Sequence, residues 1–319
     1  MNRRSGDQGL LAPVFEEFIA DLRPSLHERR TLFAQAQFAL RVLQNDTDFG
    51  IVEILPSGSL EKGTALAGHA DVDCVLHMHP DACVSTQGDR LLPSTILGRL
   101  TARISKMYGG RIEVVMNNRS ASLLFADGPK CDIVPGVWDG NADYEIEVPD
   151  RAARRWVYSC IPDHVEFTRS RGEVLQDAVR LSKLWRHDWT IRRFGFALEL
   201  LMCKAFDLSA EPISPIDVFT SMIESIVESE LQQPVCFDDF YDLREVDVEE
   251  RPVTIVDPVN PTNNVSEDLE ESDRLAILNK AGETLHWIDR GAQCLDRDDV
   301  QMACRWWSNV FPGFEDYSC

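Results

Sequence analysis

The sequence predicts an α+β chain in two parts, a mixed-sheet half over residues 1–155 that includes an N-terminal helix and a helical half over 156–319. Three observations lead there. At 319 residues the chain holds about two domains of typical size. Short apolar runs bounded by turn residues alternate with helical periodicities through the first part, whereas beyond Pro149 apolar residues recur only at helical spacing. With 44% apolar and 27% charged residues, 18 Gly and 16 Pro, the composition belongs to a folded protein and excludes collagen-like, low-complexity and disordered chains.

Residues 10–45 read as helix, interrupted at Pro24 and restarted at Ser25, with Glu28 in the capping-box position. Leu32, Phe33, Ala36, Leu40 and Leu43 form its apolar stripe. Residues 51–55 make a short strand closed by Pro56-Ser57-Gly58-Ser59, and 72–78 a second, strongly apolar one. A helix over 94–107 carries Ile96, Leu100, Ile104 and Met107 on one face. Strands follow over 111–116, 121–125 and 131–134, the last two joined as a hairpin by Asp127-Gly128. The second half reads as helices over 173–188, 192–207, 215–231, 272–290 and 298–310. Between them, residues 238–250 carry seven acids against Arg244 alone and read as a solvated loop or helix face.

Thirty-two basic against 53 acidic residues leave a net charge of −21, which opposes sequence-independent docking on a phosphate polymer or an anionic membrane. No uncharged apolar run approaches the roughly 20 residues that span a bilayer, and Arg3 and Arg4 have no apolar core behind them. A cytoplasmic protein without a membrane partner is expected. The nine cysteines include no CxxC pair, so they read as buried or idle thiols in a reducing compartment.

The chemistry concentrates in Gly58-Ser59-Leu60-Glu61-Lys62-Gly63-Thr64 and in Asp71-Val72-Asp73 at the head of a strand. Alternate residues of a strand share a face, so Asp71 and Asp73 are presented together while Val72 points into the opposite layer. Two like charges held so close call for a cation, and hard carboxylate oxygens suit Mg²⁺, which also binds phosphates. Gly58 allows close backbone approach to a phosphate, and Ser59 can donate to its oxygens. Asp132 is the natural third acid: it follows the Asp-Gly turn inside the apolar run Cys131-Asp132-Ile133-Val134-Pro135, where an isolated carboxylate would be costly.

GSLEKGTALAGHADVD followed by CDIVPG resembles the active-site signature of polymerase-β-type nucleotidyltransferases, and specifically of the oligoadenylate synthetases and the cGAS/DncV-like nucleotidyltransferases (CD-NTases). Further matches run in order to residue 311. Residues 177–185 are similar to the family's helix bearing a phosphate-binding lysine, here Lys183, and Phe196-Ala197-Leu198-Glu199-Leu200-Leu201 to the helix after it. The segment from Asp257 to Val265 resembles a DPxxPxxN loop, and Trp306-Trp307-Ser308-Asn309-Val310-Phe311 a terminal tryptophan helix.

The resemblance implies a two-lobed polymerase-β-like fold and nucleotidyl transfer, in which a ribose hydroxyl attacks the α-phosphate of a nucleoside triphosphate and pyrophosphate leaves. Asp71, Asp73 and Asp132 would hold Mg²⁺ or Mn²⁺. Gly58, Ser59 and Lys183 would steady the triphosphate, and Phe196 would stack on a base. Leu181, Leu184 and Trp185 on the apolar side would leave Lys183 and Arg180 directed away from the core. Gly195 departs from the pattern, since several relatives carry a polar residue touching the nucleotide there. His69, His77 and His79 show no metal-site spacing and read as solvated or packing residues, and the tryptophans as core.

The implied product is a cyclic oligonucleotide second messenger made from triphosphates, ATP among them, in bacterial anti-phage signalling, with a regulatory or effector protein as partner. The alternatives are a double-stranded-RNA-activated synthase of linear 2′-5′ oligoadenylate and a catalytically silent nucleotide-binding module. A nucleic-acid activator is not expected, because Arg23, Arg29, Arg30 and Arg41 are interleaved with Glu16, Glu17, Asp21 and Glu28 and form no basic track.

Overall fold

The computed structural model of the chain describes residues 8–44, 49–109, 111–126, 130–138, 140, 144–187, 194–209 and 214–317. In chain order these form α1 (Ala12–Asp21), α2 (Leu26–Gln44), β1 (Ile51–Ser57), α3 (Gly58–Lys62), β2 (Val72–Met78), α4 (Pro93–Met107), β3 (Glu113–Met116), β4 (Ala121–Leu124) and β5 (Lys130–Trp138). There follow β6 (Glu145–Asp150), β7 (Arg155–Cys160), α5 (Ile161–Arg169), α6 (Gly172–Arg186), α7 (Gly195–Leu208), α8 (Pro215–Ser229), α9 (Glu271–Leu295) and α10 (Val300–Val310).

Contacts divide the chain into two units, residues 24–169 and residues 1–23 with 170–319. This differs from the 1–155 and 156–319 halves read from the sequence. α5 belongs with the sheet, since Arg169 at its end donates to Glu61 of α3 at 3.1 Å. α1 belongs with the helices: Phe15 packs edge-on to Trp307 at 4.9 Å, and Phe18 meets Phe311 and Phe314. An amphipathic helix reads alike in sequence wherever it docks, so periodicity could not assign either one.

In the sheet unit the strand order is β1-β2-β5-β4-β3, with β6 on the far end of β5 and β7 on β6. β2 and β5 are parallel and the other pairs antiparallel, which makes the sheet mixed. β1 runs two residues past its expected end, through Pro56, which an edge strand tolerates because its outer side needs no donor. β6 and β7 were not anticipated: Pro149 reads as a breaker, yet it pairs with Trp156 inside this terminal ladder. The expected Asp127-Gly128 turn lies outside the described residues, while β4 and β5 on either side of it pair antiparallel.

The main core lies where α2 and α4 cover one face of the sheet. Leu32 and Leu43 of α2, Ile96 and Leu100 of α4, and Cys74 and Ile133 of the central strands are all nearly inaccessible; Ala36 of the expected stripe is outside the described side chains. Each such large aliphatic chain contributes about 1.5–3 kcal/mol by leaving water. Ser25 caps α2 by accepting from Glu28 N–H at 3.1 Å, but the Glu28 carboxylate accepts from Gly68 N–H at 2.8 Å and so ties α2 to the loop before β2.

In the helical unit Trp185 Nε1 donates to Thr284 Oγ1 at 2.8 Å, joining α6 to α9 through the core. The segment from Asp257 to Asn264 is a buried scaffold: Asp257 accepts from Asn263 Nδ2 at 3.0 Å and from Val259 N–H at 2.9 Å. Asn264 Oδ1 takes the N–H groups of Ile255 and Ser266. Among the described residues no helix is long and apolar enough to cross a membrane.

Candidate active site

Strand register assembles the site. Ser57 of β1 is opposite Asp73 of β2, Asp73 is opposite Asp132 of β5, and Asp132 is opposite Ser122 of β4. Paired residues of neighbouring strands share a face, so these four form one polar row across four strands. Asp71 precedes Asp73 by two residues and Lys130 precedes Asp132 by two, which places both on the same face. The sheet thereby brings together the three acids expected from sequence.

The Lys130 ammonium sits between two of them, 2.8 Å from Asp132 Oδ2 and 3.2 Å from Asp71 Oδ2. Burial pulls the Lys130 pKa down, but bonding to Asp132 and then to Asp71 outweighs it, and the net shift is upward. Ser122 Oγ donates to Asp132 Oδ1, and Asn117 Nδ2 donates to Ser122, so the far oxygen of Asp132 is held by a short relay from β4. Beneath the acids Cys74 is a protonated thiol. Its bond with Cys131, its burial and the charges of Asp73 and Asp132 all raise its pKa well above the ordinary range.

The Gly58-Ser59 segment is the start of α3, the single turn and a half that follows β1 directly. Gly58 has φ +71°, and a Cβ there would lie 1.9 Å from Asp73 Oδ2. Only glycine therefore lets the chain turn against the Asp73 carboxylate. Leu60 anchors α3 in the core, and the Glu61–Arg169 bond fixes its outer side. A cavity of about 430 Å³ lies under α2 and reaches Ser57 and Asp73, with Leu40, Arg41, Ile54 and Glu61 among its walls.

The residues fit a divalent cation. Among the described residues no three acidic, histidine or cysteine side chains are already gathered as a ligand set, but Asp71 and Asp132 already converge on one positive charge. Carboxylate oxygens are the donors that Mg²⁺ and Mn²⁺ prefer.

Lys183 and Phe196 stand in the other unit, half-buried on α6 and in the first turn of α7. Arg180 corrects the reading that paired it with Lys183 on an outward face. It is 8% exposed and bound to Asp177, which also accepts from Arg23 Nε at 3.0 Å and Nη2 at 2.5 Å. His77 is fully buried beside Trp138, and among the described residues neither ring nitrogen has a hydrogen-bond partner; burial lowers its pKa against the opposing charge of Glu53.

Sequence reasoning missed Lys130 and Ser122. The first was within reach, because the two-residue strand period that placed Asp71 beside Asp73 also places Lys130 beside Asp132. Ser122 needed the register between β4 and β5, which sequence alone does not give.

Residues 11–171 match the model of the second messenger oligonucleotide or dinucleotide synthetase (SMODS) domain. The cyclic AMP-AMP-AMP synthase of Escherichia coli (strain MS 115-1) is 27% identical over 282 residues, 84% of this chain and 85% of that protein. The structure of E. coli MS115-1 CdnC in complex with HORMA-deltaN superposes with a TM-score of 0.76 at 23% identity, covering 96% of this chain and 98% of that one. The CD-NTase CdnG of Bradyrhizobium diazoefficiens in complex with GTP superposes with a TM-score of 0.68 at 15% identity, over 95% and 96%. With the domain match spanning half of its length and the polymerase-β-like fold beneath it, the chain belongs to the SMODS family of cGAS/DncV-like nucleotidyltransferases, the CD-NTases.

Proposed function

We propose that this protein is a metal-dependent nucleotidyltransferase that joins nucleoside triphosphates, ATP among them, into a cyclic oligonucleotide second messenger for anti-phage signalling. The observation that carries the reading is the row of Asp73 and Asp132 across parallel strands, with Asp71 converging from the same face and Gly58 turning against Asp73. Cyclic products are supported by the similarity to a cyclic AMP-AMP-AMP synthase, and ATP as substrate by the fold shared with CdnC in a structure with ATP. The complex of CdnC with HORMA-deltaN supports a regulatory protein partner. The net charge of −21 speaks against a nucleic-acid activator.

In this reading a ribose hydroxyl forms a bond to an α-phosphorus, the bond to pyrophosphate breaks, and the hydroxyl proton passes to solvent. Divalent cations, when bound, neutralise the triphosphate and lower the pKa of that hydroxyl. Asp71, Asp73 and Asp132 hold those cations, and the Ser122 relay fixes the orientation of Asp132. Ser59 and the backbone at Gly58 position phosphate oxygens, Lys183 steadies the triphosphate, and Phe196 stacks on a base. The chain's contribution is positioning and preorganised charge.

Pyrophosphate release from mixed nucleoside triphosphates, with Mg²⁺ or Mn²⁺ and with chelator, tests this. The wild type releases it only with metal, and Asp71→Asn combined with Asp73→Asn abolishes release while the protein remains folded. Turnover by the double variant at the wild-type rate would overturn the site.

A further inference from the structure

Arg186 ends α6 one turn after Lys183, so the two cations lie on one face of the helix. Its guanidinium is mostly withdrawn from solvent, Nε is buried without a hydrogen-bond partner, and no carboxylate of the described residues pairs with it. Burial alone acts on it, pulling its pKa down. Arg180, three residues before Lys183, shows the usual solution, a buried guanidinium bound to a carboxylate, here Asp177. A buried cation with no counter-ion costs free energy, and a fold retains it most readily where an anion is to be bound.

Gly195 lies directly against this group. A Cβ on Gly195 would stand 3.5 Å from Arg186 Nη2 and 3.9 Å from Cζ. The backbone there is ordinary helix at the start of α7, so no left-handed conformation demands a glycine. Among the described residues, what the missing side chain leaves is room beside the guanidinium. A longer residue would fill it.

We propose that Arg186 and Lys183 together grip a phosphate group of the nucleoside triphosphate, with Gly195 keeping the space for it open; this rests on the nucleotidyltransferase reading above. A guanidinium offers a planar fork of donors that matches two phosphate oxygens, and a lysine adds a mobile point charge. The bound phosphate supplies the counter-ion that no described residue gives Arg186.

The test compares wild type, Arg186→Met and Gly195→Gln for binding of inorganic tripolyphosphate and of a non-hydrolysable ATP analogue, with divalent cation present and thermal melts alongside. Both variants bind both probes roughly tenfold or more weakly, the ordinary effect of losing a charged phosphate contact. Arg186→Met melts no lower than wild type, because no partner among the described residues is lost. Tripolyphosphate affinity unchanged in Arg186→Met overturns the proposal, as does a loss confined to the ATP analogue, which would mark a base contact. A clearly lower melt with unchanged binding would make Arg186 structural and overturn it equally. Wild-type protein that releases pyrophosphate while Arg186→Met binds normally removes the Arg186 assignment alone, whereas a wild type that neither binds the probes nor releases pyrophosphate removes the nucleotidyltransferase reading with it.

Discussion

Lys130 and Asp132 lie two residues apart on β5 and bond to each other, Nζ to Oδ2 at 2.8 Å, while the same ammonium reaches Asp71 at 3.2 Å. The protein thus carries its own cation among its acids. Lys130→Met removes it and leaves two carboxylates facing each other. Because the three side chains are partly exposed, the expected loss of stability without divalent metal is modest, about 1 kcal/mol. Added Mg²⁺ restores the variant more than it raises the wild type. Thermal melts with and without chelator check this, and equal melts under both conditions would contradict it.

Gly58→Ala tests the turn against Asp73. The added methyl would enter the space of Asp73 Oδ2, and φ +71° is itself unfavourable for alanine. The Asp73 carboxylate must move, and a displacement of this kind at a reacting centre costs roughly a hundredfold in rate. The expected outcome is at least that loss of kcat with the circular dichroism spectrum retained.

On α6, Asp177 and Lys183 should behave oppositely. Asp177 is 3% exposed and serves both Arg23 and Arg180. Asp177→Asn leaves a buried guanidinium without its counter-charge and costs about 3 kcal/mol in denaturant unfolding. Lys183→Ala, at a half-buried position, costs less than Asp177→Asn, about 1 kcal/mol or below, yet weakens nucleotide binding. Equal destabilisation by both would show Lys183 to be a structural residue.

His77 makes stability depend on pH. Burial keeps the folded imidazole neutral with its pKa below the ordinary value of about 6.5. The unfolded chain therefore binds a proton that the folded chain refuses. Its contribution is intact above about pH 6.5 and is lost as pH falls from there through the lower folded value. His77→Phe, which keeps a ring beside Trp138, should flatten the decline in melting temperature over this window. An unchanged slope would contradict the assignment.

Long periodic elements were legible in the sequence because burial is their main determinant. α4 and α6 to α10 fall within a few residues of their expected bounds. The acids of the site were legible for a related reason: a carboxylate in an apolar run, as at Asp132, is too costly to be incidental. What escaped depends on relations between distant segments. The docking of α1 beside α10, the Ser122 relay and the continuation of the sheet through Pro149 are all set by register and tertiary packing. Arg180 was misplaced because a helix repeat marks a face but not the partner waiting on it, here Asp177.

Cyclic oligonucleotide synthesis is read most directly by mass spectrometry of phosphatase-resistant products after incubation with the four ribonucleoside triphosphates and Mg²⁺, without nucleic acid. If a protein partner is required, it is supplied in the same reaction. The wild type yields cyclic oligonucleotides, and the protein carrying Asp71→Asn and Asp73→Asn yields none. Linear 2′-5′ oligoadenylates appearing only with double-stranded RNA, or cyclic products undiminished in the double variant, would contradict this.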